Sequence, residues 1–427
     1  MKLFNLYYET TGVCTDTRNI IKDCLFICLK GANFNGNTFA AKAIEAGAKY
    51  VIVDEEQFKT NDAIFYVPDS LIYLQKLATF HRSKFNIPII GITGSNGKTS
   101  TKELINCVLF EKYNVLCTKG NFNNHIGVPL TLLNLKEEHE IAIIEMGANK
   151  FKDIEELCNI ALPDFGIITN IGKAHLEGFI NFEGVLKTKK ELYVSISNNT
   201  GTIVYNEDDV ILKANLPEGT KTLSYGSGER CEIQGELIGL SPFVQLKWKK
   251  EGYISPTIQT NMIGKYNYYN FLAAISFGIL FDVPEEKINN AIASYSPENN
   301  RSQVKKTENN TLILDCYNAN PSSMRSAIES FAMIADEDKI LIIGDMLELG
   351  TDSTQEHLLI AKLVKQLGLK GFSVGPLFKS IKTDAFIQQF EHKTDALLYL
   401  KQNPITNKLI LLKGSRGIGL ETLEENL

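Results

Sequence analysis

Short apolar runs, of the length of buried strands, alternate along this chain with stretches whose apolar residues fall three and four apart. LFICLKG (Leu25 to Gly31) and YVIVD (Tyr50 to Asp54) read as strands, AAKAIEAGA (Ala40 to Ala48) as a short helix between them. Leu71, Leu74, Leu77 and Ala78 then mark a helix face. From about residue 84 the alternation strengthens. IPIIGIT leads into a Gly-rich loop, after which Leu104, Ile105, Val108 and Leu109 share one helical face. EIAIIEM (Glu140 to Met146) and FGIITN (Phe165 to Asn170) are further strands.

Residues 200–260 are richer in glycine and β-branched side chains and predict a few appended antiparallel strands. NYYNFLAAISFGILF (Asn267 to Phe281) predicts a strongly apolar helix. After the turn-like SYSPENNR (Ser294 to Arg301) come four more strands, TLILD, KILIIGD, GFSVG and KLILLKG, with helices between them. Strands alternating with helices imply parallel sheets covered on their faces. The expected fold is therefore α/β with three domains: a small α/β domain over 1–83, a central parallel-sheet domain over 84–297, and a Rossmann-like domain over 298–427.

Composition narrows the class without changing that picture. A chain of 427 residues exceeds what one core usually serves, and 44% hydrophobic with 22% charged residues is ordinary for a globular protein. A net charge of −6 argues against nucleic acid or an anionic membrane as partner. The amino-terminal MKLFNLYYETTGVCTD lacks the apolar core of a signal peptide, and no run approaches the roughly 18 apolar residues of a membrane span. The eight cysteines are scattered, as expected for free thiols in a reducing cytoplasm.

In open parallel sheets ligands sit beyond the carboxyl ends of the strands. Here those ends carry the loop after Ile92, Glu145, Asn170, Asp315, Asp345 and Lys413. The loop, GITGSNGKTST from Gly91 to Thr101, ends in Gly-Lys-Thr. Its glycine spacing is not that of the general G-x-x-x-x-G-K-[ST] loop, which would put glycine where Ile92 stands. Strand before and helix after favour phosphate binding, with Lys98 on the phosphates and Thr99 on Mg²⁺. Glu145 at a strand end suits Mg²⁺, or a turn. His175, past the strand ending at Asn170, is a ligand or a solvated side chain. Lys187, Lys189 and Lys190 fit a solvated helix face, and nothing in their spacing selects one. Asn121, Asn123 and Asn124 form a turn or meet a polar ligand. Asn267 and Asn270 share a helix face, for packing or for a base edge. Lys413 and Arg416 suit an anionic substrate group or a surface turn.

Taken together, these segments strongly resemble the Mur ligase family of ATP-dependent amide-forming enzymes. TGSNGKTS matches that family's TG(S/T)xGK(T/S) loop, which has no glycine at the position of Ile92. NFNNHIGVPLTLL, IEMGAN, NIGKAHLEGF, LDCYNANPSSM, GDMLELG and LLKGSRG extend the likeness nearly end to end. The resemblance implies a UDP-sugar-binding amino-terminal domain, a central ATPase domain and a carboxyl-terminal ligase domain. It implies a cytoplasmic, monomeric enzyme that joins D-alanyl-D-alanine to UDP-N-acetylmuramoyl-tripeptide through an acyl phosphate, with no nucleic acid and no membrane insertion.

The resemblance also assigns residues. Gly94, Ser95, Asn96, Gly97, Lys98, Thr99 and Ser100 would hold the ATP phosphates. Thr99 and Glu145 would bind one Mg²⁺; His175 and a carbamoylated Lys189, in its K-x-x-[IL]-[YF] context, would support a second. Asn270 would contact adenine, Arg301 the γ-phosphate, Asp315 and Tyr317 the ribose region. Asn318, Asn320, Lys413 and Arg416 would line the substrate side, with Asn121 and Asn124. Thr17 and Arg18 in TDTR, with KGANFNGNTF, would meet the UDP-sugar. Two positions depart from the family pattern: Tyr266 replaces its usual His, and NFNGN replaces FDGH or FDAH. Rival readings are another amide ligase of the same fold, such as a folylpolyglutamate synthase, a nucleotide switch or motor, and a pure binding protein.

Overall fold

The structure is a computed structural model that describes residues 2–172, 179, 181–335 and 338–427. Its chain packs as two compact units, Met1–Gly91 with Tyr113–Ala148 and Lys152–Phe165, and Ile92–Lys112 with Asn149–Phe151 and Gly166–Leu427. Within the first unit the helix Ser70–Arg82 is tied to later segments of the chain. Its buried Arg82 donates to the carbonyls of Phe85, Ala161 and Leu162 at 2.7, 3.2 and 3.5 Å, and pairs with Asp164 at 3.4 Å. The amino-terminal segment is thereby joined to strands and helices of the central segment.

In the first unit four short strands, Val13–Cys14, Leu25–Ile27, Tyr50–Val53 and Ile64–Tyr66, pair in that order and all parallel. Leu25, Phe26 and Ile27 are all buried, as a two-sided run requires. The expected strand over 25–31 is split: Lys30–Gly31 turns out into a hairpin with Phe34–Asn35. Strands Val115–Cys117 and Ile141–Glu145 pair in parallel within the same unit.

The second unit holds the helices Lys98–Phe110 and Tyr266–Leu280, the latter apolar nearly all round. Of the strands appended after residue 200, Thr202–Asn206, Lys221–Gly226 and Ile233–Gly239 are parallel; Gln245–Lys250 and the short strands paired with it are antiparallel. The few antiparallel strands expected over 200–260 are present, and the parallel pairs beside them were not expected. The helix Val210–Ala214 supplies the crossover that a parallel pair needs.

At the carboxyl end six strands run in the order Gln303–Lys306, Thr311–Asp315, Leu409–Lys413, Lys339–Gly344, Gly371–Val374, Gln388–Phe390, with only the first antiparallel to its neighbour. Alternate residues feed two cores. Ile313, Leu341, Ile343 and Leu411 pack on one face; Leu312, Leu314, Ile342, Ile410 and Leu412 pack on the other. Burying each such side chain is worth roughly 1.5–3 kcal/mol. Two edge strands, Gln303–Lys306 and Gln388–Phe390, are too polar to have been read from the pattern. The last strong strand lies between two earlier ones, so Asp315 and Lys413 end side by side.

Candidate active site

Strand Ile89–Thr93 is buried throughout, and the chain leaves it through Gly94 to enter the helix Lys98–Phe110. Gly94 has φ 148° and Gly97 has φ 77°. A Cβ on Gly94 would lie 2.0 Å from Thr169 Oγ1, so that turn is open to glycine alone. The loop is braced from the neighbouring segment: Ser95 N and Asn96 N donate to Asn170 O and Oδ1 at 3.0 Å each, and Thr169 Oγ1 donates to Asn96 O at 2.6 Å. Ser95 Oγ exchanges hydrogen bonds with the Gly172 backbone at 2.9 and 3.1 Å. Lys98 Nζ donates to Gly94 O at 2.7 Å, folding its charge back over the loop. The first N–H groups of a helix have no partner within it, and here they stand beside a lysine and the buried Thr99. This is an anion cradle.

Asn96 points away from that cradle, its Oδ1 accepting from Asn320 Nδ2 at 2.7 Å. Asn320 also caps the helix Pro321–Met333 with a capping box through Ser323. On the other side of the loop, Asn270 is buried with its Oδ1 3.0 Å from where a Gly97 Cβ would be. Thr101 Oγ1 donates to Asn270 Oδ1 at 3.1 Å, and Asn270 Nδ2 donates to Asn267 Oδ1 at 2.9 Å. Both amides thus brace the loop's rear. Tyr266, the departure from the family's His, hydrogen-bonds Ser302 Oγ at 2.7 Å.

That bond leads to a strained turn. Asn300 and Ser302 both sit at φ 55°, on either side of Arg301. Left-handed conformations in non-glycine residues gather at functional sites. Ser302 N donates to Asp315 Oδ1 at 3.1 Å, which holds the turn against the strand end. The Arg301 guanidinium stacks 3.9 Å from the centre of the Tyr317 ring, and Arg416 lies 5.5 Å from the same ring. Buried Arg301 Nε has no hydrogen-bond partner among the described residues, nor has Asn299 Oδ1. Lys413 is engaged inside the chain: its Nζ pairs with Asp315 Oδ2 at 2.7 Å with only 3% of the side chain exposed. Asn318 Oδ1 accepts from Ala319 N at 2.9 Å.

Asp345, one of the polar strand ends, is no solvent-facing group. It is buried, and its carboxylate caps the helix Pro376–Ser380, accepting from Leu377 N and Phe378 N at 2.8 and 2.9 Å. Buried His357 lies 3.9 Å from it. His357 Nε2 accepts from Met346 N at 3.0 Å, so the ring is neutral with its proton on Nδ1, toward Ser353 O at 2.7 Å. Burial pushes the Asp345 carboxyl up and the His357 imidazole down.

In the first unit, Glu145 ends its strand buried, with 1% of the residue exposed. Its Oε1 accepts from Asn123 Nδ2 at 2.8 Å; its Oε2 has no partner among the described residues. Of the asparagine cluster, Asn121 and Asn124 are exposed, and Asn124 caps the helix Gly127–Leu132 through Ile126 N and Gly127 N. Asn123 is the member tied to the acid, which residue type and spacing did not single out.

The three lysines after Leu186 separate by environment. Lys187 is exposed and Lys190 donates to Asn215 Oδ1 at 3.3 Å, whereas Lys189 is buried at 2% exposure. His175 lies outside the described residues. Among those described, no three His, Cys, Asp or Glu side chains cluster as a metal site. Mg²⁺ held through one carboxylate, waters and nucleotide phosphates needs no such cluster, and the buried, unpartnered Glu145 Oε2 fits it.

Arg18, 85% exposed, binds the Asp16 carboxylate through two nitrogens at 2.7 and 2.9 Å and holds that carboxyl down at about 2. Its neighbour Thr17 opens the short helical turn that Asp16 caps. The NFNGN segment forms its own network: Asn37, fully buried, donates to Asp54 at 2.7 Å, Asn35 donates to Glu55 at 2.9 Å, and Lys30 bridges both acids.

Residues 9–82 match the Mur ligase family catalytic domain, 92–278 the Mur ligase middle domain, and 300–416 the Mur ligase glutamate ligase domain. The chain is 34% identical to UDP-N-acetylmuramoyl-tripeptide–D-alanyl-D-alanine ligase of Bacillus subtilis, over 100% of this chain and 95% of the relative. It is 31% identical to the enzyme of the same name from Escherichia coli, over 97% and 94% of the two chains. The ADP complex of MurF ligase from Thermotoga maritima superposes with a TM-score of 0.88 at 26% identity, over 99% of this chain and 97% of that one. MurF from Acinetobacter baumannii gives 0.86 at 28%, with the same coverage.

Proposed function

The chain belongs to the Mur ligase family, and from that premise we propose how its own residues carry out the reaction. It is an ATP-dependent ligase that adds D-alanyl-D-alanine to UDP-N-acetylmuramoyl-tripeptide in peptidoglycan synthesis. The observation that carries our assignment of roles is the braced cradle from Gly94 to Ser100, which offers helix N–H groups and Lys98 to an anion.

A carboxylate does not acylate an amine, because expelling oxide is prohibitive. The tripeptide's terminal carboxylate oxygen attacks the γ-phosphorus, the bond to ADP breaks, and an acyl phosphate forms. Lys98 leaves the Gly94 carbonyl for the phosphates, and Arg301, held on the Tyr317 face, meets the γ-phosphoryl oxygens. The amine of D-alanyl-D-alanine then attacks the carbonyl carbon. The tetrahedral adduct sheds a proton from nitrogen and collapses, phosphate leaving with the C–O electron pair.

Thr99 and Glu145 are the residues that would hold one Mg²⁺, with His175 and a carbamate on Lys189 for a second. Mg²⁺ there would neutralise charge on the transferring phosphoryl group. Lys189, buried where its neighbouring lysines are not, is our candidate for the carbamate. Asn270 stands behind the loop for the adenine, and Asp315 with Tyr317 serves the ribose. We assign Asn318, Asn320, Arg416, Asn121 and Asn124 to binding of the acceptor. Lys413 acts by holding Asp315. Thr17 and Arg18 meet the UDP-sugar, releasing Asp16 to do so. Among the described residues no helix is long and apolar enough to cross a membrane, and we place the enzyme in the cytoplasm as a monomer.

Phosphate release tests this reading. Each candidate UDP-tripeptide, ending in diaminopimelate or lysine, is offered with ATP, with and without D-alanyl-D-alanine. Release that requires both substrates and yields the pentapeptide supports it; hydrolysis indifferent to D-alanyl-D-alanine would overturn it.

A further inference from the structure

Glu145 is held from three sides, and one residue supplies two of the contacts. Its backbone N donates to Thr118 Oγ1 at 3.0 Å. Asn123 donates its amide to Glu145 Oε1 at 2.8 Å, and its carbonyl accepts from Gly147 N at 2.7 Å. Asn123 thus grips the acid itself and the backbone two residues beyond it. The fit is close: a Cβ on Gly147 would lie 2.9 Å from Asn123 Oδ1 and would push the amide aside. Oε1 is therefore spoken for, and Oε2, buried, is left with no partner among the described residues.

An unpaired buried carboxylate oxygen costs several kcal/mol unless a cation or a water meets it. We propose that Asn123 is the positioning residue for the metal-binding carboxylate, orienting Glu145 so that Oε2 is the oxygen presented to Mg²⁺. This rests on the assignment of Glu145 as a Mg²⁺ ligand. Partners of this kind fix ligand orientation, and their loss weakens metal affinity by about 10–100-fold.

The test counts bound metal directly. Mn²⁺ binding to the full-length protein with a non-hydrolysable ATP analogue is followed by electron paramagnetic resonance for the parent, N123A, N123S and E145Q. The serine variant keeps a polar, turn-compatible residue and the backbone carbonyl for Gly147 while removing the amide. Expected are Mn²⁺ affinities at least tenfold weaker in N123A and N123S, with circular dichroism unchanged and nucleotide affinity without metal unchanged. In an E145Q background N123A should add nothing.

A folded Asn123 variant that binds Mn²⁺ within twofold of the parent overturns the proposal, as does a full additive loss in the double variant. Failure of both Asn123 variants to fold, with E145Q folded, also overturns it, since Asn123 would then belong to the scaffold alone. If E145Q itself binds Mn²⁺ like the parent, the assignment of Glu145 has failed, and a buried water occupies Oε2.

Discussion

Asp315 and Lys413 are register partners at the carboxyl ends of adjacent parallel strands, and Lys413 Nζ lies 2.7 Å from Asp315 Oδ2. The lysine is nearly fully buried and the carboxylate's other oxygen holds Ser302 N. A cation that looks from sequence like a substrate anchor is therefore spent on fixing the acid, and through it the turn that carries Arg301.

Removing Lys413 should act on stability first. K413M leaves the partly buried Asp315 carboxylate without its cation, a loss below the roughly 3–5 kcal/mol of a fully buried pair. The double variant D315N/K413M should recover most of it. Chemical denaturation of the three proteins checks this; K413M within about 1 kcal/mol of the parent would show the pair to be solvent-screened.

Lys98 is different in that its Nζ donates to a loop carbonyl, Gly94 O, at 2.7 Å. K98A should cost at most about 1 kcal/mol of stability. Its turnover should fall by roughly 10²–10³ or more, as when one donor to a developing charge is removed. Thermal melting beside initial rates separates the two effects; near-normal turnover would remove Lys98 from phosphate binding.

The stacking of Arg301 on Tyr317 predicts a graded series. Y317F keeps the ring and should hold kcat/KM for ATP within a few fold. Y317L removes a cation–π contact worth about 0.5–2 kcal/mol, so kcat/KM should fall roughly 2- to 30-fold. Steady-state kinetics with varied ATP decides, and equal behaviour of the two variants would show that the ring face does not orient Arg301.

Strands with two buried faces were legible in the chain because burial writes itself as a continuous apolar run; Ile89–Thr93 and Thr311–Asp315 are of this kind. The edge strands Gln303–Lys306 and Gln388–Phe390 were not, since one side of each faces little protein and polar residues suffice. The turn between strand and helix was legible through Gly94 and Gly97, whose positive φ leaves little alternative. What spacing could not reveal was which of several like residues is buried. Asn123 differs from Asn121 and Asn124, and Lys189 from Lys187, only in what the rest of the fold places beside them. Asp345 misled because a strand-end carboxylate can serve a helix N-terminus as well as a ligand.

Burial also separates the lysines experimentally. K187A, at an exposed position, should leave activity unchanged. K189A should lose most of it, with partial rescue by short carboxylates such as formate or acetate that stand in for a carbamate. Rates with and without added carboxylate decide; a fully active K189A, or rescue of neither rate nor metal dependence, would show Lys189 to be a packing residue.

His357 predicts an acid-side loss of stability with a definite sign. Burial lowers its pKa in the folded protein, and Met346 N–H already occupies Nε2. In the unfolded chain the imidazole takes up a proton near pH 6.5. Above that pH neither state is protonated and the contribution is fully present. As pH falls below about 6.5 the unfolded state gains a proton that the folded state resists, so stability declines by up to about 1.36 kcal/mol per pH unit. Asp345 works in the opposite sense, its raised pKa favouring the folded state as pH falls through its folded value. H357Q offers an acceptor to Met346 N and a donor to Ser353 O without titrating. Its stability, measured by denaturant unfolding from pH 7.5 to 5.5, should fall less steeply than the parent's. Parallel curves would show that the His357 ring takes up a proton as readily in the folded protein as in the unfolded chain, contrary to the hydrogen bond it accepts from Met346 N.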